Sequence, residues 1–173
     1  MSEVEITLRE AIPEDAEKLL QLSKQVSLET DFLIMDERGM NLSSELLAGE
    51  LAAIYESESN YLLLAFADQE VIGAASIRAS DEERIAHIGE VGVFIAKDYW
   101  GMGLGTLLME ELIDFANESS IIARLELTVQ SRNQAAVHLY EKIGFETEGL
   151  LKRGAKSQQG EYLEVRLMSL MIN

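Results

Sequence analysis

An apolar run, Val91-Gly92-Val93-Phe94-Ile95-Ala96, leads through Trp100-Gly101-Met102-Gly103-Leu104-Gly105-Thr106 into a stretch with Leu104, Leu107, Leu108, Leu112 and Phe115 at near-helical spacing. The order predicts a strand, a loop with glycine at every second position, and a helix to about residue 118. Glycines let the backbone turn tightly and come close to a ligand. The first-turn N–H groups of the helix have no intrahelical acceptor, and the helix dipole favours negative charge there. Gly101, Gly103 and Gly105 therefore point to an anion site, with phosphate or pyrophosphate as its natural occupant.

Spacing removes two alternatives. A dinucleotide fingerprint, G-x-G-x-x-G, starting at Gly101 would need its third glycine where Thr106 stands. A P-loop would end in Gly-Lys-Ser/Thr, and no such ending follows.

Composition narrows the class further. A chain of 173 residues is expected to form a single domain, residues 1–173. A formal net charge of −17 would repel a nucleic-acid backbone and is compatible with a cationic substrate. The chain has no cysteine, which removes disulfides, thiolate nucleophiles and cysteine-based metal sites, and fits a reducing, cytoplasmic setting. The N-terminal residues lack the apolar core of a signal peptide, and no apolar run approaches the roughly 20 residues of a membrane span, so no membrane partner is expected. His87 and His138 are the two histidines, and without a supporting carboxylate spacing they suggest no metal.

The remaining pattern predicts a strand over 5–10 and a helix opened by Pro13, Glu14 and Asp15 that continues to about residue 23. Residues 30–42 have no clear period and are expected to form a loop. A helix follows to about residue 56, capped by Ser43 or Ser44, with Leu46, Leu47, Leu51 and Ile54 inward. Strands are expected over 61–67 and 71–79, joined by a hairpin turn at 68–70, and over 86–96. After the glycine loop and its helix come a strand over 124–129 and a short helix over 133–143, capped by Asn133 and ended by Gly144. Strands near 145–150 and 162–172 close the chain. The order defines a mixed α/β domain on one sheet.

The glycine loop together with Asn133-Gln134-Ala135-Ala136-Val137-His138-Leu139-Tyr140-Glu141-Lys142-Ile143-Gly144-Phe145 resembles the GNAT superfamily of N-acetyltransferases. Those enzymes carry Arg/Gln-x-x-Gly-x-Gly/Ala at the loop that holds the coenzyme A pyrophosphate. On a later helix they carry Asn-x-x-Ala-x-x-x-Tyr-x-x-x-Gly-Phe, which stands here without gaps. The resemblance implies an α/β fold with a mixed, mostly antiparallel central sheet of about seven strands and about four flanking helices. It implies acetyl-CoA as co-substrate, no metal, and acetyl transfer to a primary amine of a small molecule, an amino acid or a peptide N-terminus by direct attack on the thioester.

The chain departs from that pattern at one place. The Arg/Gln position falls on Trp100 or Tyr99, and Met102 fills a slot often basic in relatives, so the loop offers no side-chain cation. A non-catalytic acyl-CoA-binding or sensing protein on the same fold is the alternative reading.

The resemblance also implies roles for residues. The coenzyme would lie against the backbone of Val93, Phe94 and Ile95, the loop residues Trp100, Gly101, Met102, Gly103, Leu104, Gly105 and Thr106, and the helix residues Asn133, Ala136 and Tyr140. Tyr140 would protonate the departing thiolate, and small Ala136, four residues earlier, shares its helix face. Asn133 is explained equally well as a helix cap. Glu90 would act as the general base, directly or through a water; a solvated strand-end carboxylate explains it equally well. His87 is a secondary candidate. The acceptor would be walled by Phe32, Leu33, Met35, Asp36, Glu37 and Tyr162, with Asp31, Asp36, Glu37 and Glu161 suited to a protonated amine. The closing hairpin, with Lys152, Arg153 and Lys156, resembles one that joins homodimer contacts in the subfamily.

Overall fold

The computed structural model describes residues 3–173. Its strands are β1 (Ile6–Glu10), β2 (Tyr61–Ala67), β3 (Glu70–Ala79), β4 (Ile88–Ile95), β5 (Arg124–Gln130), β6 (Glu146–Lys156) and β7 (Tyr162–Met171). Its helices are α1 (Ala16–Glu29), α2 (Ser44–Tyr55), α3 (Leu104–Glu118) and α4 (Gln134–Lys142). Short 3₁₀ turns at Pro13–Asp15 and Lys97–Tyr99 complete the regular structure. The strands form one sheet in the order β1-β2-β3-β4-β5-β7-β6. Every neighbouring pair is antiparallel except β4 and β5.

Both faces of the sheet's first half are covered, which is why β2 and β3 read as nearly continuous apolar runs. On one face α3 and α4 pack Leu108, Met109, Leu112 and Val137 onto Leu63, Ala75, Ile77, Val91, Leu125, Leu127 and Met168. On the other, α1 and α2 pack Leu19, Leu22, Val26, Leu47 and Leu51 onto Leu62, Leu64, Phe66 and Ala74. Each such leucine contributes roughly 1.5–3 kcal/mol relative to exposure.

Several boundaries differ from expectation. Helix α1 continues to Glu29, because Val26 and Ser27 keep its inward face buried. Strand β4 begins at Ile88, since residues 83–87 turn. Strand β6 runs to Lys156, past a register shift at which Arg153 takes φ 53. Leu46 is 64% exposed and Leu107 49% exposed; each lies one position off its helix's buried stripe and is not core.

The sheet's decisive feature is where β4 and β5 part. They pair only at Ile88↔Arg124, Gly89↔Leu125 and Glu90↔Glu126. Beyond Glu90, β4 stays with β3 as far as Ile95, while β5 stays with β7 as far as Gln130. A V-shaped gap opens between them. The Ala96 N–H donates to the Ile72 carbonyl at 2.8 Å, which fixes the phase of the β3–β4 ladder. Gly92 and Phe94 therefore exchange bonds with β3, and the N–H and C=O groups of Val91, Val93 and Ile95 turn to the gap.

Candidate active site

The gap leads directly to the glycine loop. Gly101 and Gly103 take φ 75 and 80, and Gly103 is the N-cap of α3 with no side-chain cap. A Cβ at either position would meet nothing within 4 Å, so the backbone conformation is what demands glycine, and the space beside it is open. The first intrahelical bond runs from Leu107 N–H to Gly103 C=O at 3.2 Å. The N–H groups of Gly103, Leu104, Gly105 and Thr106 thus have no acceptor in the helix, and such a helix start is complementary to an anion. Gly105 has a different reason. A Cβ there would meet Leu139 Cδ1 at 3.4 Å and Ile95 Cδ1 at 3.7 Å, so glycine admits α4 against β4.

Trp100, which with Tyr99 stands at the family's Arg/Gln position, is 42% exposed, and its indole reaches back to β4. Its Nε1–H donates to the Ile95 carbonyl at 2.7 Å. That carbonyl belongs to the open edge of β4, so Trp100 braces the loop and closes the end of the edge. Met102 is 62% exposed and carries no polar group.

The phase of β4 corrects one expectation. Val93 and Ile95 present backbone groups to the gap. Those of Phe94 are engaged with Ala74 of β3, and its side chain packs toward α1 and α2.

Helix α4 closes the other side. Asn133 Oδ1 accepts the Ala136 N–H at 3.4 Å, so capping accounts for its side chain. Ala136 and Tyr140 are half-buried on the core side. The Tyr140 ring packs against Phe145 with centroids 5.9 Å apart. Burial pushes its phenol up to about 12, with no charge or hydrogen bond contributing. The hydroxyl stays protonated at neutral pH, as a proton donor must.

The face of the sheet away from α3 and α4 carries polar side chains where α1 and α2 end. Register places Arg78, Glu90, Glu126, Ser169 and Glu146 side by side across β3, β4, β5, β7 and β6. The next row holds Ser76, exposed Gly92 and, across the gap, Thr128. Arg124 gathers one acid of that row and one beside it: its Nε meets Glu126 at 3.0 Å, and its two terminal nitrogens meet Glu148 at 2.7 and 2.9 Å. Glu148 also accepts the Ser169 hydroxyl. The Arg124 guanidinium and then that hydroxyl hold the Glu148 carboxyl down to about 2. Glu90 has no ion pair among the described residues. Its exposed carboxylate stands unpaired where β4 and β5 part.

His87 serves through its backbone, its carbonyl accepting the N–H groups of Ala123 and Arg124 at 2.9 and 3.1 Å. His138 is exposed on α4. Among the described residues no group of acids or histidines could hold a metal ion, and no helix is long and apolar enough to cross a membrane.

The acceptor wall differs most from expectation. Asp31 and Asp36 are both already paired with arginines. Asp31 bonds Arg132 at 2.6 Å and the Gln158 N–H at 3.1 Å. Asp36 bonds Arg38 at 2.7 Å, and that side chain and then the Arg38 N–H hold its carboxyl down to about 2. Phe32 lies under the Arg132 guanidinium, 5.2 Å from ring centroid to carbon. Leu33 packs on the α1–α2 core, Met35 is half-buried, and Glu37 is exposed. Glu161 is exposed and its N–H donates to Ser157. Tyr162 lies between Arg153 and Lys156, and strand alternation puts it on the Arg166 and Met168 side of β7. It is not brought to the Glu90 face.

Arg132, Gln130 and the Arg124 cluster tie together the segments around the gap, and sequence reasoning passed over them. The polar positions alternating along Arg124-Leu125-Glu126-Leu127-Thr128-Val129-Gln130 were the available signal.

The sequence matches the Acetyltransferase (GNAT) family over residues 29–145. The chain belongs to that family and is an N-acetyltransferase. It is 28% identical to the L-amino acid N-acetyltransferase AaaT of Escherichia coli (strain K12) over 165 residues, 95% of this chain and 97% of the relative. A crystal structure of a GNAT-family acetyltransferase from Streptococcus pneumoniae superposes with a TM-score of 0.95 at 45% identity, covering 97% of this chain and 100% of that one. yncA from Salmonella typhimurium, solved with its cofactor acetyl-CoA, shares the fold with a TM-score of 0.81 at 22% identity, covering 97% and 94%.

Proposed function

We propose that the protein transfers the acetyl group of acetyl-CoA to a primary amine of a small molecule, an amino acid or a peptide N-terminus, by direct attack on the thioester. The observation that carries this reading is the V-shaped gap. Its β4 edge offers at Val93 backbone groups that neither neighbouring ladder uses, and it runs from the start of α3 to the carboxylate of Glu90.

In this reading the pyrophosphate rests on the N–H groups of residues 103–106, with backbone supplying what the missing loop cation does not. The pantetheine arm lies along β4 as an added strand, which brings the thioester toward Val91 and Glu90. Glu90 takes a proton from the acceptor ammonium, directly or through water, since an ammonium has no lone pair. The amine attacks the thioester carbon, a gap-facing N–H of β4 at Val93 stabilises the oxyanion, and the C–S bond breaks. Tyr140 gives its proton to the departing thiolate, and the second proton of the attacking nitrogen returns to the Tyr140 phenolate, leaving the neutral amide and free coenzyme A thiol.

The test is release of free coenzyme A thiol from acetyl-CoA against amines, amino acids, aminoglycosides and peptides. Turnover with any amine supports the enzyme; tight acetyl-CoA binding without thiol release across the panel would establish the non-catalytic binder. Gly103→Val should abolish acetyl-CoA binding in calorimetry while circular dichroism stays native, because a β-branched residue at φ 80 distorts the loop without touching the core. Wild-type affinity in that variant would refute the cradle.

A further inference from the structure

We propose that Arg78 holds the carboxylate of the acceptor, so that the acceptor is a free α-amino acid rather than a polyamine or a peptide amine. The inference rests on the reading above, in which the amine meets the thioester beside Glu90.

Arg78 is the direct cross-strand partner of Glu90. Side chains opposite one another in an antiparallel pair share a face and lie about 4.5–5.5 Å apart at Cβ. Both residues are exposed, just where helices α1 and α2 no longer cover the sheet. An acid and a base so placed would ordinarily form an ion pair, yet they do not.

Arg78 also stands apart from the other strand arginines. Arg9 is paired with Asp15, Arg124 with Glu126 and Glu148, and Arg166 with Glu141. Arg153 lies over the Tyr162 ring. Arg78 has no hydrogen-bond or charge partner among the described residues.

A free carboxylate beside a free guanidinium, in front of a floor opened by Gly92, is complementary to a molecule carrying an ammonium beside a carboxylate. A guanidinium binds a carboxylate through two parallel hydrogen bonds, which fixes orientation as well as position. With its carboxylate on Arg78, the acceptor presents its amine to Glu90. Four of the acids around this face are already engaged, Asp31 by Arg132, Asp36 by Arg38, and Glu126 and Glu148 by Arg124. A polyamine placing its amine at Glu90 would meet an opposing cation in Arg78.

The experiment compares kcat/KM for free L-amino acids, their α-amides and spermidine in the wild-type protein, Arg78→Gln and Arg78→Lys, with acetyl-CoA affinity measured by calorimetry in all three. The proposal expects free amino acids to exceed their amides at least tenfold in the wild type. Arg78→Gln should erase that preference by lowering the amino-acid value 10- to 100-fold, with the amide value and acetyl-CoA affinity unchanged. Arg78→Lys should restore part of it. Equal wild-type rates on amino acids and amides, preferred use of spermidine, or an equal fall on both substrate types in Arg78→Gln would overturn it while leaving the acetyltransferase intact. Failure to release thiol with any amine would overturn the acetyltransferase reading itself, and this proposal with it.

Discussion

Asp31 and Arg132, 101 residues apart in sequence, are joined at 2.6 Å, and around that pair three separate segments meet. Buried Gln130 donates from Nε2 to the Asp31 carbonyl at 2.8 Å and accepts from Arg132 Nε at 2.7 Å. The Gln158 N–H reaches the Asp31 carboxylate from the β6–β7 turn. That N–H, and after it the Arg132 guanidinium, hold the Asp31 carboxyl below its ordinary range against the opposing effect of burial. The α1–α2 loop is thereby tied to the residue immediately before the N-cap of α4.

The tie predicts that loosening it affects the acceptor more than the coenzyme. Asp31→Asn keeps the side chain's size and removes the charge. It should raise the acceptor KM roughly threefold to tenfold, the range expected for a partly exposed charge-assisted contact. The acetyl-CoA dissociation constant should stay at its wild-type value. Arg132→Leu should act alike, and the double variant should be no worse than Arg132→Leu alone, because both remove one interaction. Steady-state kinetics with each substrate varied in turn checks this; additive effects would show that the two residues act separately.

The same pair shows where sequence reasoning reached and where it stopped. The glycine turn and the helix it opens were legible because their determinants are local: glycines at fixed spacing, then an apolar stripe. That Ala136 and Tyr140 share one face of α4 was legible from helical spacing. The parting of β4 from β5 was not, since it depends on which strands pair over which residues, and neither strand's own sequence records that. For the same reason Phe94 was grouped with Val93 and Ile95, although the ladder's phase turns its backbone the other way. Asp31 resembled a free acid because its partner Arg132, 101 residues on, could be recognised only once the loop's path was known, whereas the partner of Asp36, Arg38, stands two residues away and was a local signal passed over.

Tyr140 should matter for turnover and not for binding. Tyr140→Phe removes a proton donor and leaves the ring packed on Phe145. The expected outcome is a fall in kcat of about 10²-fold, the lower range for a general acid, with unchanged acetyl-CoA affinity. Ultraviolet titration should show a phenol ionising near 12 that is missing from the variant. Because the raised value belongs to the folded state, stability from the neutral buried phenol is present below about 10 and is lost as pH rises through the folded value. Unchanged turnover across an amine panel would remove Tyr140 as the acid.

Glu148 predicts a pH dependence at the acid end. Its carboxyl lies at about 2 in the fold, against an ordinary 4.5, because Arg124 and Ser169 favour the charged form. A depressed carboxyl stabilises the fold above its unfolded value, and that contribution disappears as pH falls through the folded one. Glu148→Gln should therefore be less stable than the wild type at neutral pH. The difference should shrink below about 4.5 and vanish near 2. Urea melts across that range measure it; a pH-independent difference would assign the loss to packing.

Gly89 sits at the apex where β3, β4 and β5 are still joined. A Cβ there would approach Ile77 Cγ2 to 2.7 Å and Leu125 Cδ2 to 3.0 Å. Gly89→Ala should cost about 1–3 kcal/mol of stability, the range for overpacking a closed core. Gly101 offers the contrast, since a Cβ there meets nothing. Gly101→Ala should cost only about 1–2 kcal/mol, from its left-handed backbone. It should chiefly weaken acetyl-CoA binding. Chemical denaturation paired with calorimetry separates the two, and equal effects on binding would refute the division between apex and cradle.

Trp100 gives the sharpest test of how the loop works without a cation. Its indole N–H meets the Ile95 carbonyl at 2.7 Å, so the brace depends on one donor. Trp100→Phe keeps an aromatic ring and removes that donor, which releases the loop and reopens the carbonyl on the edge of β4. Loss of one neutral hydrogen bond amounts to roughly 0.5–1.5 kcal/mol. Acetyl-CoA affinity should fall about threefold to tenfold, and kcat at saturating acetyl-CoA should hold, because Glu90 and Tyr140 are untouched. Trp100→Arg should not improve binding: the new charge would stand where the brace is needed, and flexibility in the loop would offset its attraction for the pyrophosphate. Tighter acetyl-CoA binding in Trp100→Arg than in the wild type would show that the loop lacks a cation and that the brace contributes little.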